Sequence, residues 1–192
     1  MGLFDIFNKN KATSNLPKEA FSVYKGYPEI PYISPDRDIL SWMEQVSLFN
    51  NVVPKENMVR LEENLLPGHI LMLWRVGFNN FTNITTIPSY FEYQYGIDGN
   101  KAIQTLKTKQ YIAQLSSQNS LKFMTVPQLK KILVELEVSP ERIKDDLILQ
   151  ICEHVATDEL DDLIYIRGYE LTEKGKAILN KYQSIVDQHQ SK

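Results

Sequence analysis

The chain is poor in the residues that most often carry chemistry. It has one cysteine and three histidines in 192 residues, and each scarcity removes a class of function. The lone thiol, Cys152, excludes an internal disulfide and suits a cytoplasmic location. It lies on an apolar helical face, so a buried, inert thiol is expected. His69, His154 and His189 are scattered, with no Cys or His partner at metal-binding spacing and no glycine-rich phosphate loop elsewhere. No nucleophile signature accompanies any of them. The expectation is a non-enzymatic protein with no catalytic residues, no metal and no cofactor. No apolar run approaches the ~20 residues that cross a bilayer. The short N-terminal apolar piece lacks a basic leader, so no secretory signal is expected.

A further absence is local. Between Gly99 and Val134 there is no acid, while Lys101, Lys107, Lys109, Lys122, Lys130 and Lys131 all fall there. The whole chain is acidic, with a net charge of -3. A basic stripe on an acidic protein can neutralise phosphates, or it can be an ordinary solvated lysine face. Past Cys152 the balance reverses, with Glu153, Asp158, Glu159, Asp161 and Asp162 close together. No calcium-loop spacing accompanies them, so a solvated acidic turn is expected.

What is present divides the chain into four segments: 1–35, 36–120, 121–156 and 157–192. In the first, Leu3, Phe4, Ile6 and Phe7 form a short amphipathic piece ahead of a proline-rich linker. Packing on protein is preferred over membrane-surface contact through residues 2–7. Ile6 stands where myristoylation of Gly2 wants Ser or Thr. In the second, Ile39, Leu40, Met43, Val46 and Leu48 suggest a helix capped near Ser34 or Asp36. Pro67-Gly68 reads as a turn. The run from His69 to Gly77 reads as a buried strand or a helix, which periodicity does not decide. The aromatics Trp74, Phe78, Phe81, Tyr90, Phe91, Tyr93 and Tyr95 are read as core in preference to base-stacking platforms.

The third segment is the most informative. Thr125 with Gln128 makes a capping box, and Pro127 is tolerated in the first helical turn. Val126, Leu129, Leu133 and Leu136 then recur at helical spacing, with Lys130 and Lys131 off the stripe. Ser139-Pro140 breaks the helix. Leu147, Ile148, Ile151, Cys152 and Val155 form a second apolar stripe. Two stripes this short bury little, so the pair is expected to lean on the rest of the chain. The layout resembles the SAP module, a helix–extended loop–helix unit of DNA-associated proteins. Leu129, Lys130, Leu133, Lys144, Leu147, Ile148 and Ile151 match its pattern without gaps. The chain departs from it at Glu137 and Arg142, where the family has glycines, and at Pro140. Those changes are expected to alter the loop backbone. The resemblance implies DNA contact through Lys122, Lys130, Lys131, Arg142 and Lys144.

A second resemblance precedes it. Pro88 can start a helix, Gly96 can end it in a left-handed turn, and Asp98 can cap a second helix with Ala102, Ile103 and Leu106 inward. Gln110-Tyr111-Ile112 then reads as the start of a strand, and Tyr169 to Lys176 as a returning strand leading into a helix capped by Thr172. This order is similar to the helix–turn–helix and wing of winged-helix proteins, which implies that Lys101, Lys107 and Lys109 face DNA. The order of all these pieces resembles bacterial and phage proteins carrying a SAP domain. The fold expected is mainly α (α+β), with the SAP-like unit inside or beside the wing. The function expected is binding of duplex DNA, chiefly at phosphates, by an accessory or regulatory protein. A protein–protein adaptor and a phage or mobile-element structural component are the alternatives.

Overall fold

The computed structural model describes residues 22–49 and 51–191. The amphipathic piece at Leu3–Phe7 and the linker as far as residue 21 lie outside them. The fold is mainly helical, and among the described residues there is one two-stranded antiparallel sheet. The chain divides into two compact units that cut across the four segments drawn from sequence. The first comprises Met1–Met72, Ile87–Thr105 and Ser184–Lys192, and the second Leu73–Thr86 and Leu106–Gln183.

The first unit contains α1 (Ile39–Phe49), a 3-10 turn (Lys55–Met58), the start of α2 (Pro67–Gly77), α3 (Tyr90–Tyr93) and most of α4 (Gly99–Thr108). The cap of α1 is Asp38, whose Oδ1 accepts from the Ser41 amide at 3.1 Å, rather than Ser34 or Asp36. Its anchor is Trp42, at 3% exposure, while Leu40 is 84% and Leu48 65% exposed. The apolar spacing located the helix but not its buried face. Pro67-Gly68 is not a turn: Pro67 opens α2, where its missing N–H costs nothing. His69 Nδ1 accepts the Leu66 amide at 3.2 Å, satisfying a donor at the helix start. The apolar run His69–Gly77 is therefore helical, and Ile70 to Leu73 are fully buried because that stretch is enclosed on all sides.

Charge is also buried in this unit. Arg37 and Glu92 form an ion pair with side-chain exposures of 2% and 17%. The Ser34 amide donates to the same carboxylate at 2.9 Å. The Arg37 guanidinium lies 4.4 Å from the Tyr93 ring centroid and 5.1 Å from that of Trp42. Gly96 has φ 60°, and a Cβ there would come within 2.7 Å of Pro31 Cβ and Met58 Sδ. Glycine thus supplies both the left-handed stop after α3 and the close approach.

The second unit is organised around β1 (Ile112–Gln114) and β2 (Tyr169–Leu171), paired with Ile112 opposite Leu171 and Gln114 opposite Tyr169. Phe81 to Asn83 extends the sheet on the far side of β2 through a bridge between Thr82 and Gly168. Between the strands run α5 (Ser117–Ser120), a 3-10 turn (Leu121–Phe123), α6 (Val126–Glu135), α7 (Lys144–His154) and α8 (Thr157–Leu163). After β2 comes α9 (Glu173–Lys181), then α10 (Gln183–Gln190), which belongs to the first unit from Ser184 onward. Asp158 to Asp162 is helical, as part of α8, rather than a turn.

The α6–α7 pair does lean on its surroundings. Leu129, Ile132, Leu133, Leu147 and Ile151 share one core cluster with Leu121, Met124, Leu160, Ile164 and Ile166. Ile148 and Cys152 are only partly buried against it, so the thiol is half-covered rather than enclosed. Further contacts join the residues flanking the two strands, tie α5 to the residue before β2, and tie α5 to α8. The Gly168 amide donates to Ser120 Oγ at 3.0 Å, the Leu115 amide to the Gly168 carbonyl at 2.9 Å, and Ser117 Oγ to Asp161. A Cβ on Gly175 would fall 1.9 Å from the Tyr111 carbonyl oxygen, so only glycine lets α9 dock there.

Candidate nucleic-acid interface

The candidate cations sit on elements whose starts and stops are locally encoded. Thr125 caps α6 in a full capping box with Gln128, and Thr172 Oγ1 accepts the Gly175 amide at the start of α9. Asp98 Oδ1 accepts the amides of Asn100 and Lys101 at 3.0 and 3.2 Å at the start of α4. Both α4 and α6 stop through a left-handed residue that is not glycine: Gln110 and Glu137 each have φ 60°. In each, two amides close back onto the last turn. Glu137 and Val138 donate to the carbonyls of Val134 and Leu133, and Gln110 and Tyr111 to those of Lys107 and Leu106. Glu137 therefore adopts a left-handed backbone conformation that favours glycine. The connector beyond is held by Gln150, which accepts from the Glu141 amide at 3.0 Å and donates to the Ser139 carbonyl at 3.2 Å.

The eight candidate residues separate by partner. Lys101 belongs to the first unit, 3.7 Å from Asp98 and 5.7 Å from the Tyr32 ring. The other seven belong to the second unit. Lys131 pairs with Glu135 at 3.7 Å, four residues on, at an exposed site. Lys144 is half-buried, and its ammonium donates to the Lys122 carbonyl at 2.7 Å, clipping the start of α7 to the turn before α6. Lys122 lies 5.3 Å from the Phe123 ring. Among the described residues Lys130 and Arg142 form no ion pair, and Arg142 is exposed in the connector. Lys107 donates to Gln114 Oε1 at 2.8 Å and lies 5.7 Å from the Tyr169 ring, whose phenol burial pushes to a higher pKa. Lys109 offers its carbonyl to Lys174 Nζ at 2.9 Å.

The α6–α7 pair is less basic than its lysines suggest. Against Lys122, Lys130, Lys131, Arg142 and Lys144 stand Glu135, Glu137, Glu141, Asp145, Asp146 and Glu153. Lys174, far from the acid-free run in sequence, is brought by strand pairing to the end of α4. Its signal was present: a returning strand ending at Leu171 puts the first turn of α9 beside the start of β1. Of the aromatics read as core, Phe81, Phe91 and Tyr95 are buried, while Phe78 and Tyr93 are 46% and 40% exposed. Among the described residues no group of three or more His, Cys, Asp or Glu is placed to hold a metal ion. No helix among them is long and apolar enough to cross a membrane. No family model matches the chain, and no curated protein or solved structure matches it.

Proposed function

We propose that this protein is a non-enzymatic, cytoplasmic DNA-binding accessory protein that contacts duplex DNA mainly through phosphates. The observation that carries the reading is the acid-free run, which in the second unit covers the end of α4, β1 and most of α6. Its Lys107 and Lys122 have neutral partners, and Lys130 forms no ion pair among the described residues. Lysines without carboxylate partners keep their full charge for a polyanion, and releasing counterions from DNA supplies the affinity. The pairing of β1 with β2 and the Asp98 cap support the winged-helix reading, and the capping box and shared core of α6 and α7 support the SAP-like one. Base-specific recognition is no part of the proposal, because phosphate contacts position a protein without reading sequence.

The test is titration of a labelled duplex of arbitrary sequence at several salt concentrations. The expected result is measurable binding at low salt that weakens as salt rises. Folded protein without binding at low salt overturns the proposal.

A protein–protein adaptor is the second reading, and specific side chains favour it. Val134, Ile143 and Leu149 are 62%, 64% and 57% exposed on α6, the connector and α7. Together with the acidic excess of that pair, they suit a protein partner better than phosphates. If DNA binding fails, this surface is the one to test for a partner.

A further inference from the structure

We infer that Lys174 is a phosphate-contacting residue that, with Lys107, grips the duplex at the short sheet of the second unit; this rests on the proposed DNA binding. Sequence places Lys174 far from the acid-free run, on a helix that begins with Glu173. The structure places its ammonium 2.9 Å from the Lys109 carbonyl and 4.7 Å from the Tyr111 ring centroid. Tyr111 directly precedes β1. Lys107 reaches along the same strand to Gln114, at its other end. The two lysines are thus anchored near opposite ends of a three-residue strand.

Partner chemistry supports the assignment. Among the described residues neither Lys107 nor Lys174 forms an ion pair; their partners are an amide oxygen, a backbone carbonyl and aromatic faces. The Lys109 carbonyl is at the C-terminal end of α4, where the helix dipole favours a cation. This interaction orients Lys174 without cancelling its charge. Lys176, two residues on, is the contrast. Its ammonium is 2.7 Å from Glu173, and the hydrogen bond to that carboxylate is the main reason its pKa is raised. Lys176 is held by an acid, whereas Lys174 is held by neutral groups.

The experiment uses the full chain and a short labelled duplex, with affinity measured across a salt series for the wild type, Lys174→Gln, Lys174→Arg and Lys176→Gln. Glutamine at 174 still carries an amide donor for the carbonyl but no charge. The expected result is that Lys174→Gln flattens the log-affinity against log-salt slope by about 1 and weakens binding by about five- to tenfold at 0.1 M salt. Lys174→Arg retains the wild-type slope, and Lys176→Gln changes it little. A Lys174→Gln slope equal to wild type overturns the inference and leaves the DNA-binding proposal standing. So does a loss of affinity that tracks a lowered melting temperature with the slope unchanged, since that marks a structural role. Wild type that does not bind at low salt overturns the broader proposal and this inference with it.

Discussion

The two units differ in how completely they enclose a charged pair. The first turns a cation inward: Arg37 is sealed between Trp42 and Tyr93 and paired with Glu92. The second builds its core from apolar side chains of α6, α7 and α8, and its largely covered Arg167 pairs with an exposed carboxylate, Asp161. A buried ion pair depends on both members being present, because removing one strands the other's charge away from water. An apolar core of short helices depends on volume, because lost atoms leave a cavity that neighbours fill poorly. The same fold thus holds one region that is fragile to loss of charge and one that is fragile to loss of size.

The largest effect expected in this comparison is at Leu147, fully buried in the cluster of the second unit. Leu147→Ala should lower unfolding free energy by about 2–5 kcal/mol in a denaturant titration. A loss under about 1 kcal/mol would mean that the helix pair does not depend on that core. In the first unit Glu92→Ala should cost about 3 kcal/mol, since the guanidinium it leaves is almost wholly covered. Glu92→Gln, which keeps the shape and some hydrogen bonding, should cost less. A full loss for Glu92→Ala beside almost none for Glu92→Gln would assign the effect to packing and break the contrast between the units.

Smaller effects sharpen the comparison within the second unit. Thr125→Ala removes the capping box of α6 and should cost about 1 kcal/mol, read as a shift in the thermal midpoint. Glu137→Gly should act in the other direction, stabilising by about 0.5 kcal/mol, because a β-carbon at φ 60° is strained. Destabilisation there would show that the Glu137 side chain contributes more than its backbone strain costs.

Local signals were legible. The caps at Thr125, Asp98 and Thr172, the left-handed stop at Gly96 and the inward set Ala102, Ile103 and Leu106 all stand where the sequence placed them. These features involve residues within a turn or two of one another, and short-range hydrogen bonding and helical periodicity determine them. Errors arose where a local pattern had two outcomes. Pro67-Gly68 suits a turn or a helix start, and an amphipathic spacing such as that of α1 leaves open which side is covered. The large aromatic Trp42 decided that face, and Leu40 and Leu48 did not.

Of the candidate site, the sequence determined which residues carry charge, where the acids are missing and which helices present the lysines. Only the tertiary structure decided which lysines keep that charge free of carboxylates. Glu135 pairs with Lys131 through helix geometry alone, but Lys174 reaches Lys109 only because β2 returns to pair with β1. The Arg37–Glu92 pair and the bridge from Thr82 to Gly168 are of the same long-range kind. Such contacts form between segments far apart in the chain, and no local spacing encodes them. They are fixed by how the whole core packs, and the placement of charge on the surface follows from that packing.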